Sequence, residues 1–509
     1  MDNFRKAAIW LLFLFACSLS PCFGQTSLCT TGSVTPTNFP SLSTNPSPAV
    51  DVLCNQTWSS QGQACTWTTE HNNCRLMDVF YPHAVGAPGS GTAAYYSTHP
   101  ITVYIHGGGL SLMNRDKEVQ GTGMPNLAVA VVNTTGGVFY TINYQLAAGM
   151  FLASGYSSGA TSLNWTTAPS YEAYGSTSMG QVAGTPFYVM LDRTLSTQEV
   201  VEVTGNACSP SCTSEASSPP MTGTFTLASP TVYAHAQYAN AVPEIAMWPA
   251  QIADVDCFMQ YLANTTGAGN AMDIRLIGES SGGLLTAYEF LNPGANLVSG
   301  NNVAGVKNGC EFSGGVYKVT RAVANSPHTD LGTEYVWQTG TYCPAHPNSG
   351  ACSEARADEI AWGCAGKTGT ACNSLYESSS PVSFLGSGTL GLGTRLLTQY
   401  GCSDPPTCDS DINAPPVQGS IAFNTAWAAL GVKQPVLAQS GPGTASGHVT
   451  DLFMPGGSTT WGTGSFGTYA NGLVDYGAES GTAMPTAVQF LQNATSSSSV
   501  GVSAGGTAH

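Results

Sequence analysis

Residues 274–291 read IRLIGESSGGLLTAYEFL, and this stretch decides the fold prediction. Ile274–Ile277 is predicted as a short buried strand and Leu284–Leu291 as a helix. Between them a serine stands in a GxSxG spacing, which is typical of a tight strand-to-helix turn. The flanking glycines let neighbouring chain pass closely, and the helix N-terminus behind the turn favours developing negative charge. Ser280 is therefore the candidate nucleophile.

A second GxSxG match, GYSSG at residues 155–159, provides a control within the same chain. No clear strand precedes it, and Asn164 and Trp165 follow where a helix should run. In a chain with 59 glycines the pattern alone is weak. Ser157 is accordingly predicted to be a loop serine, whereas Ser280 has both flanking elements that the turn needs.

Strands and helices alternate along the rest of the chain. Periodicity predicts strands over Arg75–Tyr81, Ile101–Ile105, Val138–Ile142, Val303–Phe312, Arg395–Tyr400 and Pro435–Gln439, and helices over Pro249–Ala263, Val417–Leu430 and Pro485–Gln492. This alternation favours an α/β fold with a mostly parallel central sheet covered by helices on both faces.

Two loop-rich insertions interrupt the predicted domain, which spans residues 25–492. Residues 147–247 are rich in Gly, Ser, Thr and aromatic residues, and residues 315–375 are rich in cysteine. Because ligands bind at the carboxyl ends of parallel strands, the first insertion is expected to form a lid or wall there. A β-rich subdomain packed elsewhere is the alternative. Side chains expected to line such a pocket are Tyr156, Trp165, Tyr171, Tyr174, Phe187 and Tyr188.

Both ends of the chain have their own composition. Arg5 and Lys6 precede a short apolar run, and small residues follow, so residues 1–24 are predicted to be a cleaved signal peptide. A lipid anchor at Cys17 or Cys22 and an uncleaved signal anchor are the alternatives. No later segment is long and apolar enough to predict a membrane span. The expected location is secreted or periplasmic, and the tail, 493–509, is predicted to be disordered.

The overall charge excludes one class of partner. The formal net charge is −16, and only 9% of the residues are charged. An acidic chain without a basic tract repels phosphate backbones, so nucleic acid is not an expected partner. Hydrophobic residues make up 42% of the chain, which is enough for a sizeable core.

The cysteines predict disulfides rather than a metal site. Of the 16 cysteines, all but two follow the predicted signal peptide, and an even number in an exported chain implies disulfides. No histidine lies at zinc-ligand spacing from them, so zinc is the weaker alternative. Pairs close in sequence are expected to staple loops: Cys208 with Cys212, Cys343 with Cys352, Cys364 with Cys372, and Cys402 with Cys408.

A glycine run follows the predicted strand Ile101–Ile105. Residues 106–109 read HGGG, and glycines after a buried strand let backbone N–H groups point into a pocket. An oxyanion hole needs such donors, and each is worth about 10²–10³ in rate. A glycine turn that simply closes the strand is the alternative. The presence of Ser280 downstream favours the catalytic interpretation.

A general base is expected after the nucleophile. His448 stands in a short loop after the predicted strand Pro435–Gln439, where it would reach Ser280 from the carboxyl edge of the sheet. A surface histidine is the alternative. The other histidines after the nucleophile are His328 and His346, both in the second predicted insertion, and the terminal His509.

These motifs together resemble the carboxylesterases of the α/β-hydrolase fold, in the broad group of hormone-sensitive-lipase-like esterases and secreted feruloyl or acetyl esterases. The matching segments appear in the family's order over residues 75–492: VYIHGGG, TINYQLA, PAQIADVDCFMQYL, IRLIGESSGG, SSPVSFLG, RLLTQYG and SGHVTDLF. The resemblance implies a triad of Ser280, an acid and His448. It also implies an oxyanion hole formed by the backbone N–H groups of Gly107, Gly108 and Ser281.

The resemblance places the triad acid after the strand that matches RLLTQYG. Asp404, Asp409 and Asp411 all lie in this loop. If Cys402 and Cys408 are bridged, the chain leaves and returns at one point, and Asp411 then takes the family's position. Asp411 is the preferred acid, and the other two stay open.

The sequence thus predicts a secreted serine hydrolase of carboxylic esters that forms an acyl-enzyme and needs neither cofactor nor metal. The expected substrate is a small or polymer-borne ester, whose acyl and alcohol parts stay open. Two alternatives are an amidase or peptidase with the same triad, and a binding protein on the same fold that has lost catalysis.

Overall fold

A computed structural model of the chain contains two β-sheets and a set of helices. The residues that it describes are 31–33, 50–58, 75–88, 93–110, 124–144, 150–166, 187–192, 195–209, 222–239, 241–243, 248–266, 272–293, 310, 312, 317–325, 327–342, 344, 361–362, 370–386, 396–402, 419, 422–423, 426, 429, 436–440 and 491. The predicted signal peptide and the predicted tail lie outside these residues.

Nine strands of the described chain form the larger sheet. They are β1 Gly32–Ser33, β2 Val50–Thr57, β3 Leu76–Pro82, β4 Ile101–Ile105, β5 Val138–Ile142, β12 Ile274–Glu279, β13 Val319–Asn325, β14 Leu396–Cys402 and β15 Val436–Ser440. The strand order is β1-β2-β3-β5-β4-β12-β13-β14-β15. Strands from β5 to β15 run parallel, whereas β1, β2 and β3 pair antiparallel. The prediction of an α/β chain with a mostly parallel central sheet is confirmed.

The smaller sheet lies within the segment predicted as the first insertion. Its strands are β6 Phe151–Leu152, β7 Ser162–Thr166, β8 Phe187–Leu191, β9 Glu199–Ser209, β10 Thr222–Leu227 and β11 Ala241–Pro243. They pair antiparallel in the order β11-β8-β9-β10-β7-β6. We call residues 150–243 the β-subdomain.

The described helices are α1 Ala93–Thr98, α2 Met124–Thr135, α3 Ala250–Thr266, α4 Ser281–Leu291, α5 Leu331–Trp337 and α6 Thr370–Ser379, with a π-helical turn at Gln338–Tyr342 and a 3₁₀ turn at Pro381–Phe384. Every residue of β4 and β5 is buried, as expected for parallel strands covered on both faces. The side chains of Val103, Ile105 and Leu284 share one core with α3. Asp254 of α3 forms a buried ion pair with Arg75 at 2.6 Å.

The strand beside β12 is not the predicted one. The sequence favoured Val303–Phe312, but the strand that pairs with β12 is Val319–Asn325, inside the stretch predicted as loop-rich. Of Val303–Phe312 the structure describes only Cys310 and Phe312, and neither lies in a strand. Cys310 is disulfide-bonded to Cys257, which ties this residue to α3. The helices α5 and α6 also lie wholly or partly within that predicted loop-rich stretch.

The described disulfide joins residues far apart in sequence. Cys257 and Cys310 were not among the predicted local pairs, because their separation of 53 residues gives no sign of their proximity in space. Cys54 and Cys208 are disulfide-bonded as well. These bonds agree with the oxidising compartment expected for an exported protein. Within the described ranges, none of the helices has the length and apolar character that a bilayer crossing requires.

The β-subdomain has a hydrophobic core of its own, separate from that of the larger sheet. Trp165 was expected to line a substrate pocket, but it is fully buried in this core and stacks on Phe225 with ring centroids 5.7 Å apart. The prediction for Trp165 is therefore wrong, because its side chain is enclosed by the core of the β-subdomain and cannot line a pocket. The proposed lid over the site stays a prediction.

A buried histidine between two carboxylates ties the β-subdomain together. The His235 ring contacts Asp192 at 2.8 Å through Nδ1 and Glu199 at 2.6 Å through Nε2. Glu199 also accepts hydrogen bonds from the backbone N–H groups of Val232 and Tyr233. Burial lowers the pKa of His235, but the hydrogen bonds and charges of the two carboxylates outweigh it and raise the pKa above 6.5.

We expect the stability of the β-subdomain to fall at alkaline pH. Because the folded-state pKa of His235 is raised, the stabilisation is fully present below a pH of about 6.5 and is lost as pH rises through the folded-state pKa. His235→Gln should lower the free energy of unfolding by about 3 kcal/mol at acidic pH and flatten this dependence, since it leaves two buried carboxylates without a cation. Hydrogen exchange of β8 and β9 against pH measures the effect.

The matched control is His83→Gln. His83 pairs with Asp51 at 2.7 Å, but its side chain is 63% exposed, so its loss should change stability by less than about 0.5 kcal/mol. A His235→Gln protein that keeps both the stability and the pH dependence of the wild type would contradict the prediction.

Candidate active site

Ser280 occupies the turn between β12 and α4 in a conformation that residues other than glycine rarely adopt. Its φ is 53° and its ψ is −123°, and it is only 5% exposed. The backbone N–H of Ser280 donates to the carbonyl of Asn325 at 2.8 Å, and its carbonyl accepts from Leu284 at 3.0 Å. These bonds from two elements hold the turn in a strained region of backbone space. The predicted strand–turn–helix around Ser280 is confirmed.

The glycines beside Ser280 are needed because backbone passes directly over them. A Cβ on Gly278 would overlap the carbonyl of Gly282, and a Cβ on Gly282 would overlap the carbonyls of Ile105 and His106. The two glycines of the GxSxG motif therefore allow neighbouring backbone to pass closely, as predicted, because no side chain fits at either position.

We expect Gly282→Ala to damage both stability and turnover. The added methyl must displace the backbone at the end of β4, which costs about 1–3 kcal/mol of folding free energy and moves the HGGG loop. Gly340→Ala is the control, since a Cβ there meets nothing within 4 Å. Thermal unfolding and ester hydrolysis would be measured for both variants. Equal melting temperatures and equal rates would contradict the packing argument.

Ser157 lies in a different environment from Ser280. It is exposed, and the chain after it enters the strand β7 instead of a helix. Tyr156 pairs with His235 in an isolated bridge, so the segment is an edge of the β-subdomain. The prediction that Ser157 is a loop serine is confirmed.

The HGGG loop follows β4 and lies against the Ser280 turn. A Cβ on Gly107 would lie 2.9 Å from the carbonyl oxygen of Glu279 and 3.1 Å from the Cβ of Ser280. Gly108 and Gly109 have φ values of 108° and 61°, which favour glycine. The structure thus brings Gly107 close to Ser280, as an oxyanion hole would require.

Hydrogen bonds and one ring stack hold this loop, and Tyr144 is the contributor that the sequence did not indicate. The N–H of Leu110 donates to Oγ of Ser281 at 3.1 Å, and the hydroxyl of Tyr144 donates to the carbonyl of His106 at 2.9 Å. The His106 ring stacks on Tyr144 at 4.2 Å, and its Nδ1 donates to the carbonyl of Gly107 at 2.8 Å. Burial raises the pKa of Tyr144, so its hydroxyl stays a donor. The loop geometry is therefore set before any ligand binds.

The other predicted triad members lie outside the described residues. Asp404, Asp409, Asp411 and His448 are all in this group, so their geometry with Ser280 stays a prediction. The strands that precede them are described, and β14 and β15 extend the sheet in parallel beyond β13. These strands end at the same edge as β12, which is the edge where the prediction requires the acid and the base.

A second histidine lies at this edge. His328 follows β13, the strand next to β12, and its Nδ1 contacts Oε2 of Glu334 at 2.6 Å with both side chains 2% exposed. His328 falls within the second predicted insertion, and the sequence alone favours His448 as the base. The strand at Val319–Asn325 brings it to the nucleophile's edge, so it needs to be tested beside His448.

The carboxyl group of Glu279 lies directly beside the nucleophile. Glu279 is 3% exposed, and its Cγ would lie 3.3 Å from a Cβ on Gly107. Burial raises the pKa of Glu279 to about 8, and the Tyr104 hydroxyl acts against that shift. Glu279 is therefore mostly neutral at neutral pH. The only sequence signal for it is its place within the GxSxG motif.

The chain is similar to solved structures of esterases, at low sequence identity. No known family profile matches the chain, and none of the curated proteins matches its sequence. A truncated carbohydrate esterase from gut microbiota is 13% identical, with 76% of this chain and 87% of that chain covered and a TM-score of 0.36.

Two further similar structures are also esterases by name. A thermostable esterase from Pseudomonas putida is 12% identical, with 78% of this chain and 75% of that chain covered and a TM-score of 0.36. A carboxyl esterase from the mycorrhizal fungus Tuber melanosporum is 12% identical, with 85% of this chain and 87% of that chain covered and a TM-score of 0.36. Because these TM-scores are low, neither the fold assignment nor the function rests on them.

Proposed function

We propose that the protein is a serine hydrolase of the α/β-hydrolase fold that cleaves carboxylic esters. The observation that carries the proposal is the strained Ser280 turn with the HGGG loop packed against it. A nucleophilic serine at the end of a sheet strand, followed by a helix and faced by a glycine loop, is the arrangement that this chemistry needs. The finer placement among hormone-sensitive-lipase-like or feruloyl and acetyl esterases rests on the sequence motifs alone.

In the proposed reaction, His448 takes the proton of Ser280 and the serine oxygen attacks the ester carbonyl. The backbone N–H groups of Gly107, Gly108 and Ser281 hold the resulting oxyanion, and Asp411 holds the imidazole in the required tautomer. The intermediate collapses to an acyl-enzyme with loss of the alcohol, and water then releases the acid. The fixed loop fits this role, since donors that are already placed need no reorganisation in the transition state.

The proposed site of action is outside the cytoplasm. The N-terminal segment has the pattern of a signal peptide, and the disulfide between Cys257 and Cys310 requires oxidising conditions to form. A mature protein that begins after Gly24 is the expected product, with a lipid-anchored form at Cys17 or Cys22 as the alternative. Mass spectrometry of the exported protein distinguishes these outcomes.

The test of the function is a substrate panel together with active-site labelling. We expect hydrolysis of p-nitrophenyl esters, with selectivity read from graded acyl chains and from feruloyl and acetyl-sugar esters. A fluorophosphonate should label Ser280 alone. Cleavage of anilides with comparable efficiency would favour an amidase, and an unlabelled, inactive folded protein would favour a binding role.

A further inference from the structure

The buried side chain of Glu279 lies beside the loop that would form the oxyanion hole. Glu279 is the last residue of β12, and Gly107 passes close to both its carbonyl oxygen and its side chain. Tyr104 of β4 is fully buried beside this carboxyl. A charge at this position would therefore be buried, close to the loop that faces the nucleophile.

Asn325 adds a second buried polar group to the same place. It is the register partner of Glu279 across β12 and β13, and it is 0% exposed. Among the residues that the structure describes, its side-chain Oδ1 and Nδ2 have no hydrogen-bond partner, and neither does Oε2 of Glu279. A buried amide or carboxyl group without a hydrogen-bond partner costs folding free energy. Such unpaired groups are rare in folded proteins, and each calls for an explanation such as a catalytic role.

We propose that Glu279 is a positioning residue that must be neutral for turnover, so that loss of its proton switches the enzyme off at alkaline pH. The proposal rests on the proposed ester hydrolysis and deepens it by adding a regulatory group to the same site. The side chain of Glu279 packs against Gly107, the first glycine of the loop that would form the oxyanion hole. The carboxylate would place a negative charge beside the developing oxyanion, and repulsion at this range in a buried site lowers the rate about tenfold to a hundredfold.

The groups that face Glu279 are consistent with this behaviour. Tyr104 of β4 and Tyr144 after β5 are the titratable side chains whose pKa values respond to its charge, and both pKa values are raised mainly by burial. The ring of His106 stacks on the Tyr144 phenol. Among the described residues no cation contributes to the pKa of Glu279, and burial holds that pKa at about 8.

The experiment is the pH profile of kcat/KM for a p-nitrophenyl ester, measured on the full chain. The wild type should lose about tenfold or more of its activity between neutral pH and pH 9.5, with a midpoint at the ionisation of Glu279. Glu279→Gln has the same shape and no titrating proton, so the profile of this variant should lack the alkaline decline, whatever its activity at neutral pH. Tyr104→Phe should move the decline to higher pH, because it removes the contact that lowers the pKa of Glu279.

The control is Glu289→Gln. Glu289 is also buried, on the helix that follows the nucleophile's turn, and it accepts a hydrogen bond from Tyr317 at 2.8 Å. Its replacement should leave the shape of the profile unchanged. A merely structural role for Glu279 would lower activity at all pH values by one factor and would not remove the decline.

The outcomes separate this inference from the proposed function. If the wild type hydrolyses esters through Ser280 and the decline persists in Glu279→Gln, the inference is overturned and the function stands. If the wild type neither hydrolyses esters nor reacts with a fluorophosphonate, the proposed function fails. If Glu279→Gln does not fold, the test is the midpoint of the alkaline decline in Tyr104→Phe. A midpoint at higher pH supports the inference, and an unchanged or lower midpoint overturns it.

Discussion

Replacing Ser280 by alanine should abolish ester hydrolysis, with a loss of about 10⁶ in kcat if the triad acts as a unit. The strained turn places Ser280 between the end of β12 and the start of α4, and alanine has no hydroxyl that could attack the ester. The fold should survive, because alanine retains the Cβ that packs near Gly107. Thermal unfolding and hydrolysis of a p-nitrophenyl ester would be measured on the same preparation.

The chain contains its own matched control for this experiment. Ser157→Ala removes a serine from an identical spacing in an exposed loop of the β-subdomain, and activity should stay within twofold of the wild type, which is about 0.4 kcal/mol. A fluorophosphonate should label the wild type and Ser157→Ala but not Ser280→Ala. Normal turnover by Ser280→Ala would show that Ser280 is not the nucleophile.

Asp411→Asn should cause the second largest loss, about 10⁴ in kcat, as in the best-studied serine triad. The acid holds the imidazole of the base in the tautomer that accepts the serine proton and stabilises the imidazolium that follows. An amide keeps the shape but favours the wrong tautomer. We therefore expect an effect on kcat much larger than that on KM.

Asp404→Asn and Asp409→Asn are the matched controls for the acid, and each should cost less than Asp411→Asn. For the base, His448→Ala should inactivate the enzyme. His328→Ala should act mainly on stability, since the buried Glu334 would lose its partner. If His328→Ala inactivates a fully folded protein while His448→Ala does not, the base lies at His328 and the assignment of the triad changes.

The sequence by itself determined the features that depend on local spacing. The turn around Ser280 could be predicted because a strand, two glycines and a helix follow one another without interruption, so the close approach of backbone at Gly278 and Gly282 is encoded locally. The same reasoning separated Ser157 from Ser280. The alternation of apolar strands with helices was likewise sufficient for the mostly parallel sheet.

Only the tertiary structure decided the features that depend on contacts between distant segments. Two apolar stretches were candidates for the place beside β12, and the structure pairs Val319–Asn325 there, while Cys310 of the other stretch is bonded to Cys257 of α3. The aromatic side chain of Trp165 suits a substrate pocket, but the structure buries it in the core of the β-subdomain. The charge states of His235 and Glu279 were equally invisible in the sequence. Burial and neighbouring charges set a pKa, and both arise only when separate parts of the chain pack together.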